Sequence, residues 1–297
     1  MNILITGGTG FIGRHLVNAL LAKQHTLVLF CRDVDKARAL FGDRVQYVYY
    51  FRDVSLPIDV VVNLAGEPIM DKRWTRKRKS QLRGSRIGLT QHLNKWISKT
   101  TVKPKVMISG SAIGYYGNHP EGLPLAEGAS TRNCFPSRLC REWEFEALKA
   151  RSLGVRVCLL RTGVVLDGKA GALQKMLTPF RLGLGGNVAS GKQWFSWIHI
   201  EDMVNAIIFL MEQPDIEGAV NATAPESVQY NTFTKMLAEK LSRPHLFPMP
   251  GFILKLLFGE ASQLLMEGQR VVPRVLTKSG FTFRYGTLHK ALDKALE

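Results

Sequence analysis

Four glycines near the N-terminus have the spacing of a turn that holds a phosphate-bearing dinucleotide. Residues 3–14 read ILITGGTGFIGR, in which Gly8, Gly10 and Gly13 match G-x-G-x-x-G. The pattern follows a predicted strand and opens a predicted helix, and this context gives it meaning. Gly10 lets the backbone approach a pyrophosphate, Gly13 lets helix and strand pack closely, and unpaired N–H groups at the start of the helix hold the anion. The cofactor contacts predicted from this turn are Gly7, Gly10, Phe11, Ile12 and Gly13.

The charges after the second predicted strand indicate which nicotinamide cofactor this is. Residues 26–30 form that strand, and Cys31, Arg32 and Asp33 follow it. A basic side chain at this place holds a 2′-phosphate, whereas an acidic one holds a 2′-hydroxyl. The planar guanidinium of Arg32 suits a phosphate, while Asp33 is the competing candidate that favours NAD. We predict NADP(H), with Cys31 and Arg32 at the site.

Strands and helices must alternate to position these residues. Over residues 1–165, short apolar runs alternate with segments of helical periodicity. This rhythm predicts an α/β fold, a Rossmann-type doubly wound parallel sheet. The predicted strands are residues 2–6, 26–30, 59–64, 105–109 and 155–160, and the predicted helices are 11–23, 34–40, 77–99 and 136–150.

After residue 166, frequent glycines break the rhythm, and helices are predicted again at 200–212 and 232–240. The expected division is an NADP-binding Rossmann domain at 1–165, to which some later segments return, and a smaller, mainly helical substrate lobe at 166–297. That lobe includes a C-terminal helical subdomain at about 248–297.

Composition limits the function further. The chain has 297 residues, a formal net charge of +16 and four cysteines without closely spaced metal-ligand pairs, so no metal site is predicted. No apolar run approaches the length of a membrane-spanning helix, and the first residues lack the features of a signal peptide. We therefore expect a cytoplasmic protein with reduced thiols and no membrane partner.

A basic segment, residues 72–86, carries eight lysines and arginines. It can be read as a solvated helix face or as a contribution to binding the anionic cofactor. Binding of nucleic acid is a third reading, which we disfavour because no recognised nucleic-acid module accompanies the charge.

Further segments along the whole chain match one known set of motifs. They are NLAG (63–66), SGS (109–111) followed by YYG (115–117), LRTGV (160–164) and WIHIEDM (197–203). With the glycine turn, they resemble the extended, nucleotide-sugar-epimerase-like branch of the short-chain dehydrogenase/reductase superfamily. Other segments resemble an atypical subgroup, the YfcH-type epimerase family proteins: GEPI (66–69), RW (73–74), GSR (84–86), PFRLGLGG (179–186), FGE (258–260) and EGQRVVP (267–273).

This resemblance implies NADP(H) binding and a small C-terminal domain. It implies that Leu64, Ala65 and Gly66 line the cofactor pocket and that Arg86 contributes to it.

The chain departs from the superfamily in its acid/base residues. Those enzymes use a Ser together with Tyr-x-x-x-Lys, in which the lysine lowers the pKa of a phenol that is otherwise a poor base at neutral pH. The helix near residue 136 offers Phe135 with Leu139, or Pro136 with Cys140, and neither register supplies a tyrosine or a lysine.

The remaining catalytic candidates are Ser111, Tyr115 and Tyr116, although the tyrosines can equally serve packing. Two weaker candidates are His199 as an acid or base and Cys140 as a nucleophile, each with a purely structural alternative.

Two functions stay open. One is an oxidoreductase or epimerase-like enzyme of altered mechanism, with Ser111 orienting the substrate oxygen of an unknown small molecule. The other is a non-catalytic NADP(H)-binding sensor or interaction protein. Arg161, Gln193 and Trp194 are candidate pocket residues, and a homodimer is possible.

Overall fold

A seven-stranded parallel sheet runs through the centre of the computed structural model, which describes all 297 residues. The chain forms the strands β1 (Asn2–Thr6), β2 (Thr26–Phe30), β3 (Gln46–Val48), β4 (Val60–Asn63), β5 (Val106–Ala112), β6 (Arg156–Thr162), β7 (Val164–Leu166), β8 (Trp194–Phe195), β9 (Trp197–His199), β10 (Gly218–Ala222) and β11 (Val228–Gln229). The central sheet has the order β10-β6-β5-β4-β1-β2-β3. The remaining strands form two small pairs, β7 with β9 and β8 with β11.

Twelve α-helices surround the strands. They are α1 (Phe11–Ala22), α2 (Val34–Phe41), α3 (Arg76–Arg83), α4 (Leu89–Lys99), α5 (Phe135–Leu148), α6 (Gly171–Arg181), α7 (Ile200–Glu212), α8 (Tyr230–Lys240), α9 (Gly251–Phe258), α10 (Gln263–Met266), α11 (Arg274–Lys278) and α12 (Leu288–Leu296). None of them is long and apolar enough to cross a membrane.

The sheet is buried on both faces, which is why its strands read as continuous apolar runs. In β1, Ile3 and Ile5 join an apolar cluster with α1 and α7 on one face, whereas Leu4 joins a second cluster with α4 and α5 on the other. All three side chains are fully buried. The Rossmann-type fold predicted from the sequence is confirmed.

The strand order creates the crevice in which a ligand can bind. From β1 the chain builds β2 and β3 to one side, then returns to build β4, β5, β6 and finally β10 on the other. In open parallel sheets, ligands bind outside the carboxyl ends of the strands at such a reversal. This point lies between β1 and β4.

Two local features differ from the sequence expectations. The helix predicted over residues 77–99 is divided by a π-helical segment, Gly84–Gly88, between α3 and α4. The glycine-rich stretch after residue 166 also contains a regular helix, α6, and β10 returns to the edge of the sheet beside β6. Packing explains the helix, because Leu173 and Leu177 bury themselves against α8 and α12.

Gly13 allows α1 to approach the end of β1. A Cβ atom at this position would lie 2.2 Å from the Gly7 carbonyl oxygen and 2.8 Å from Gly8 Cα. These atoms belong to the backbone and cannot rotate away. We expect Gly13→Ala to lower the free energy of unfolding by roughly 3 kcal/mol, because helix and strand must separate. Urea denaturation measures this loss.

Gly88→Ala is the matched control, because an added Cβ there meets nothing within 4 Å and the residue already has helical backbone angles. We expect it to stabilise the protein by about 1 kcal/mol. Equal effects of the two substitutions would contradict the close approach of α1 and β1.

His199 starts α7 by accepting a hydrogen bond at Nδ1 from the N–H of Glu201, at 3.2 Å. Burial lowers its pKa to about 4, although the carboxylates of Glu201 and Asp167 act in the opposite direction. The neutral ring is therefore a structural cap, because protonation at Nδ1 removes the acceptor.

Since the unfolded histidine titrates near 6.5, its contribution to stability is complete above that pH and is lost as the pH falls towards 4. His199→Asn keeps a capping side chain that does not titrate. We expect it to reduce the slope of the free energy of unfolding against pH by up to about 1.4 kcal/mol per pH unit. Denaturation of both proteins between pH 4 and 7.5 measures the difference. Identical slopes for the two proteins would show that the pKa of His199 is the same in the folded and the unfolded states.

Candidate functional site

The ends of β1 and β4 meet at the predicted crevice. Gly7 leaves β1 with a φ of +74°, and a Cβ there would lie 2.7 Å from the backbone nitrogen of Ala65. That nitrogen donates to Thr6 Oγ1 at 3.3 Å, and Thr6 Oγ1 donates to Asn63 Oδ1 at 2.7 Å. The predicted residues Leu64, Ala65 and Gly66 are thus fixed beside the glycine turn.

The start of α1 offers free donors at this edge. The backbone N–H groups of Phe11, Ile12 and Gly13 have no acceptor within the chain, and Gly10 caps the helix without a side-chain hydrogen bond. The first turn contains no acidic residue. Unpaired donors and the positive end of the helix dipole together suit a pyrophosphate.

Arg32 lies at the end of β2 with 85% of its side chain exposed. Both terminal nitrogens donate to Glu67 Oε1 at 3.3 Å. The neighbouring Asp33 caps α2, because its Oδ1 accepts from the Lys36 N–H at 2.9 Å. The two candidates that the sequence left in competition therefore have different roles here. Cys31 is buried beside them, and burial raises the pKa of its thiol.

Glu67 joins the exposed arginine to a buried one. Its other oxygen, Oε2, accepts from Arg78 Nη1 at 3.3 Å, and Arg78 also donates to the Pro68 carbonyl at 2.6 Å. Burial acts to raise the pKa of Glu67, but the hydrogen bonds from Arg78 and Arg32 outweigh it and lower that pKa. Sequence reasoning did not assign Glu67 or Arg78 to the site, although both lie in segments it had noted.

Arg86 supports the loop of residues 64–67, which we call the cofactor loop. Its Nη2 donates to the Glu67 carbonyl oxygen at 3.0 Å and its Nη1 to the Leu82 carbonyl at 3.3 Å. Its guanidinium carbon lies 3.0 Å from where a Gly66 Cβ would be, so a larger residue there would require the guanidinium to shift by a few tenths of an ångström. Burial lowers the pKa of Arg86. The chain therefore uses the guanidinium to hold the loop from residue 64 to 67 in place.

A buried polar network joins the cofactor loop to two helices. Asn63 Nδ2 donates to Thr90 Oγ1 at 2.9 Å, Thr90 donates to the Arg86 carbonyl at 2.7 Å, and Trp143 Nε1 donates to Thr90 Oγ1 at 3.1 Å. Sequence reasoning missed Thr90 and Trp143. The only local signal was an asparagine that ends a Val-rich strand.

The candidate Ser111 is 6% exposed, and its hydroxyl donates to Glu144 Oε1 at 2.6 Å. Arg161 binds the same carboxylate through Nε at 2.8 Å and Nη2 at 2.9 Å. The serine hydroxyl has one proton, which it donates to Glu144 in this hydrogen bond. In this arrangement the serine oxygen can therefore only accept a hydrogen bond from a further partner. Arg161 is likewise committed to the protein interior and not to a substrate pocket.

The two candidate tyrosines differ in exposure. Tyr116 is fully buried, and its hydroxyl donates to Asn221 Oδ1 at 2.7 Å while accepting from Arg161 at 3.0 Å. Burial raises its pKa despite the nearby guanidinium, so its phenol is not activated as a base. Tyr115 is half-buried, with its ring centre 3.4 Å from the Arg161 guanidinium carbon. The catalytic roles of Ser111, Tyr115 and Tyr116 stay predictions.

The start of α5 is apolar where a Tyr/Lys pair would lie. Phe135 packs edge-on against Trp74 with ring centres 4.9 Å apart, and Leu139 is buried in the same cluster. Burial and the charge of Glu144 raise the pKa of Cys140 to about 12, which is opposite to what a nucleophile requires.

A cavity of about 590 Å³ lies between the start of α5 and the C-terminal helices. Cys134 and Phe135 line one side, and Lys255 and Met266 line the other. Gln193 donates to two backbone carbonyls, of Val188 and Leu265, and thus serves structure. No group of three His, Cys, Asp or Glu side chains is placed to hold a metal ion.

Removing the charge of Glu144 tests the buried network. We expect Glu144→Gln to lower the free energy of unfolding by about 3–5 kcal/mol, because Arg161 is left buried without a counter-charge. Thermal and urea denaturation measure the loss. Glu217→Gln is the control, since Glu217 binds Arg151 at 3.2 Å with both side chains exposed, and we expect less than about 1 kcal/mol there. A similar small loss at Glu144 would show that Arg161 reaches solvent.

Comparison with known proteins places this geometry in a family. The family model described as the NAD dependent epimerase/dehydratase family matches residues 3–222, and a model described as a domain of unknown function, DUF1731, matches residues 249–295. The epimerase family protein YfhF of Bacillus subtilis (strain 168) is 37% identical over 302 residues, covering 100% of this chain and 98% of YfhF. The chloroplastic epimerase family protein SDR39U1 homolog of Arabidopsis thaliana is 39% identical over 305 residues, covering 100% and 87%.

Solved structures agree. The crystal structure of the human epimerase family protein SDR39U1 (isoform 2) with NADPH superposes with a TM-score of 0.90 at 33% identity, covering 100% of both chains. UDP-glucuronic acid 4-epimerase from Bacillus cereus, at a TM-score of 0.77 and 18% identity over 99% of this chain and 98% of its own, shows a shared fold alone. The resemblance seen in the sequence motifs is confirmed, and this chain belongs to the NAD dependent epimerase/dehydratase family.

Proposed function

We propose that this protein binds NADP(H) at the carboxyl ends of β1, β2 and β4. The observation that carries the proposal is the pairing of two features on this edge. One is the set of free N–H groups of Phe11, Ile12 and Gly13. The other is the exposed Arg32 beside an Asp33 that already caps a helix. The similarity to a human protein solved with NADPH supports the same cofactor.

Arg32 would hold the 2′-phosphate by exchanging partners. Its present partner is the Glu67 carboxylate at 3.3 Å, and a pair this exposed contributes little, typically about 0–1 kcal/mol. A phosphate monoester offers more negative charge and more acceptor oxygens than a carboxylate. Glu67 remains bound to Arg78 after the exchange, so the loop keeps one of its two ion pairs.

The geometry favours cofactor binding without conventional acid/base catalysis. A bound nicotinamide supplies hydride chemistry, but the residues that normally manage the proton are absent or engaged. Tyr116 is fully buried, and the Ser111 hydroxyl donates its hydrogen bond to Glu144. A non-catalytic NADP(H)-binding sensor or interaction protein is consistent with this arrangement.

An oxidoreductase or epimerase-like enzyme of altered mechanism is the second candidate. The open, largely polar cavity of about 590 Å³ beside Cys134 and Phe135 supports it, because a small polar molecule can enter there. The test is deuterium transfer from C4-labelled NADPH to a panel of aldehydes and ketones. Transfer that is lost in Ser111→Ala establishes this candidate, whereas no transfer under saturating NADPH rejects it.

Arg32→Ala tests the choice of cofactor. We expect the Kd for NADPH to rise about 10- to 100-fold and the Kd for NADH to change less than about two-fold, because only NADPH carries the 2′-phosphate. Isothermal titration calorimetry measures both affinities.

Arg38→Ala is the control, since Arg38 lies on the adjoining helix and binds the exposed Asp43. We expect it to leave both affinities unchanged. An equal loss of NADPH and NADH affinity in Arg32→Ala would contradict the assignment of Arg32 to the 2′-phosphate.

A further inference from the structure

More than half of the large apolar side chains that the protein exposes lie in two segments of the C-terminal half. They are Leu182 (70% exposed), Leu184 (55%), Leu246 (70%), Phe247 (55%), Met249 (42%), Phe252 (71%), Leu256 (70%) and Leu257 (54%). Monomeric proteins rarely leave large contiguous apolar patches in water unless the patch contacts a partner or a membrane.

The two segments are neighbours in space. The Phe247 N–H donates to the Gly185 carbonyl at 3.3 Å, and the Met249 N–H donates to the Asn187 carbonyl at 2.7 Å. The Ala189 N–H returns a bond to the Met249 carbonyl at 2.9 Å. Helix α9 begins two residues after Met249, so its side chains continue the surface.

Helix α9 itself is almost wholly apolar and yet faces outward. Its sequence is GFILKLLF, in which Leu254 alone is buried. The side chain of Arg73 fixes the far end of the helix by donating to the carbonyls of Leu256 and Leu257. The exposed leucines are therefore held in place on an anchored helix.

The charges carried by the two segments themselves have one sign. Residues 168–200 and 240–259 contain no aspartate and no glutamate, although they contain seven lysines and arginines. Five of these are exposed and form no ion pair, and three of the five, Arg181, Arg243 and Lys255, lie beside the exposed apolar side chains in sequence. Glu260 and Glu267 lie near Lys255, and Glu260 is paired with Lys79. An apolar patch whose own segments carry unpaired cations is complementary to an anionic lipid surface.

We propose that residues 181–184 and 243–257, which we call the apolar-basic surface, bind the headgroup region of an anionic lipid bilayer. The apolar side chains enter the boundary between headgroups and acyl chains, and the cations stay at the level of the lipid phosphates. In this proposal the protein lies on the membrane surface, with the apolar-basic surface as its contact.

The charges argue against a second copy of the chain as the occupant. In a two-fold interface the same patch meets itself, so it would enclose Arg181, Arg243 and Lys255 from both copies, and the patch segments supply no acidic side chain to pair with them. An anionic lipid surface supplies that counter-charge. The sequence did not indicate this contact, because the surface joins segments about 60 residues apart and neither segment is long enough to suggest a membrane helix.

Vesicle flotation of the full chain tests the proposal. The probes are vesicles of phosphatidylcholine alone and vesicles that also contain phosphatidylglycerol. We expect flotation only with phosphatidylglycerol, and we expect Lys255→Gln to weaken it about five-fold, since one basic residue near such a surface is worth roughly that factor. Phe252→Ser should weaken binding about ten-fold through the loss of buried apolar area.

Phe145→Ser is the matched control, because Phe145 is 67% exposed on α5, outside the apolar-basic surface. It should leave flotation unchanged. NADPH titration and urea denaturation of each variant establish that the fold and the cofactor site are intact. Therefore failure of the membrane proposal and failure of the cofactor proposal are separate results.

Three outcomes overturn the proposal. The first is no flotation with either kind of vesicle. The second is equal loss of flotation in Phe252→Ser and Phe145→Ser. The third is a dimer in analytical ultracentrifugation that Phe252→Ser dissociates while flotation persists, which assigns the surface to a second copy.

Discussion

The close approach of α1 to the end of β1 is the constraint on which the cofactor site depends. Gly13 lets the helix start directly over the Gly7 carbonyl, and Gly7 turns the chain towards the backbone of Ala65. These contacts carry three unpaired N–H groups to the edge where β4 also ends. The sheet order then matters, because strands are added outward on opposite sides of β1 and β4, which leaves a crevice between these two strands.

Around this turn the protein uses its arginines in two ways. Arg161 is buried and Arg86 is half-buried. Each stabilises a junction between elements, Arg161 through Glu144 and Arg86 through backbone carbonyls. Arg161 is fixed in position because an unpaired buried charge is costly. Arg32, by contrast, is exposed and shares a carboxylate weakly enough to accept another anion. The net positive charge of the sequence therefore includes arginines that stabilise the fold as well as arginines that are able to bind a ligand.

Local patterns predicted the parts of the structure that local forces determine. The glycine turn, the buried strands and Arg32 after β2 follow from spacing and burial, and the fold built from them is confirmed. Three side-chain hydrogen bonds could not be predicted from local patterns, because each joins residues that are not neighbours in the chain. They are Arg78 to Glu67, Asn63 to Thr90, and Ser111 to Glu144. Strand β10 was missed for the same reason: its five residues, GAVNA, are a strand only because β6 lies beside them.

Asp33 connects cofactor preference with the integrity of a helix. Its carboxylate caps α2 through the Lys36 N–H, and loss of such a cap typically costs about 1 kcal/mol. Replacing Asp33 to remove its negative charge from beside a 2′-phosphate would also remove this cap. A preference for NADPH strengthened in that way would therefore lower the stability of α2. Cofactor preference and helix stability are coupled through one side chain.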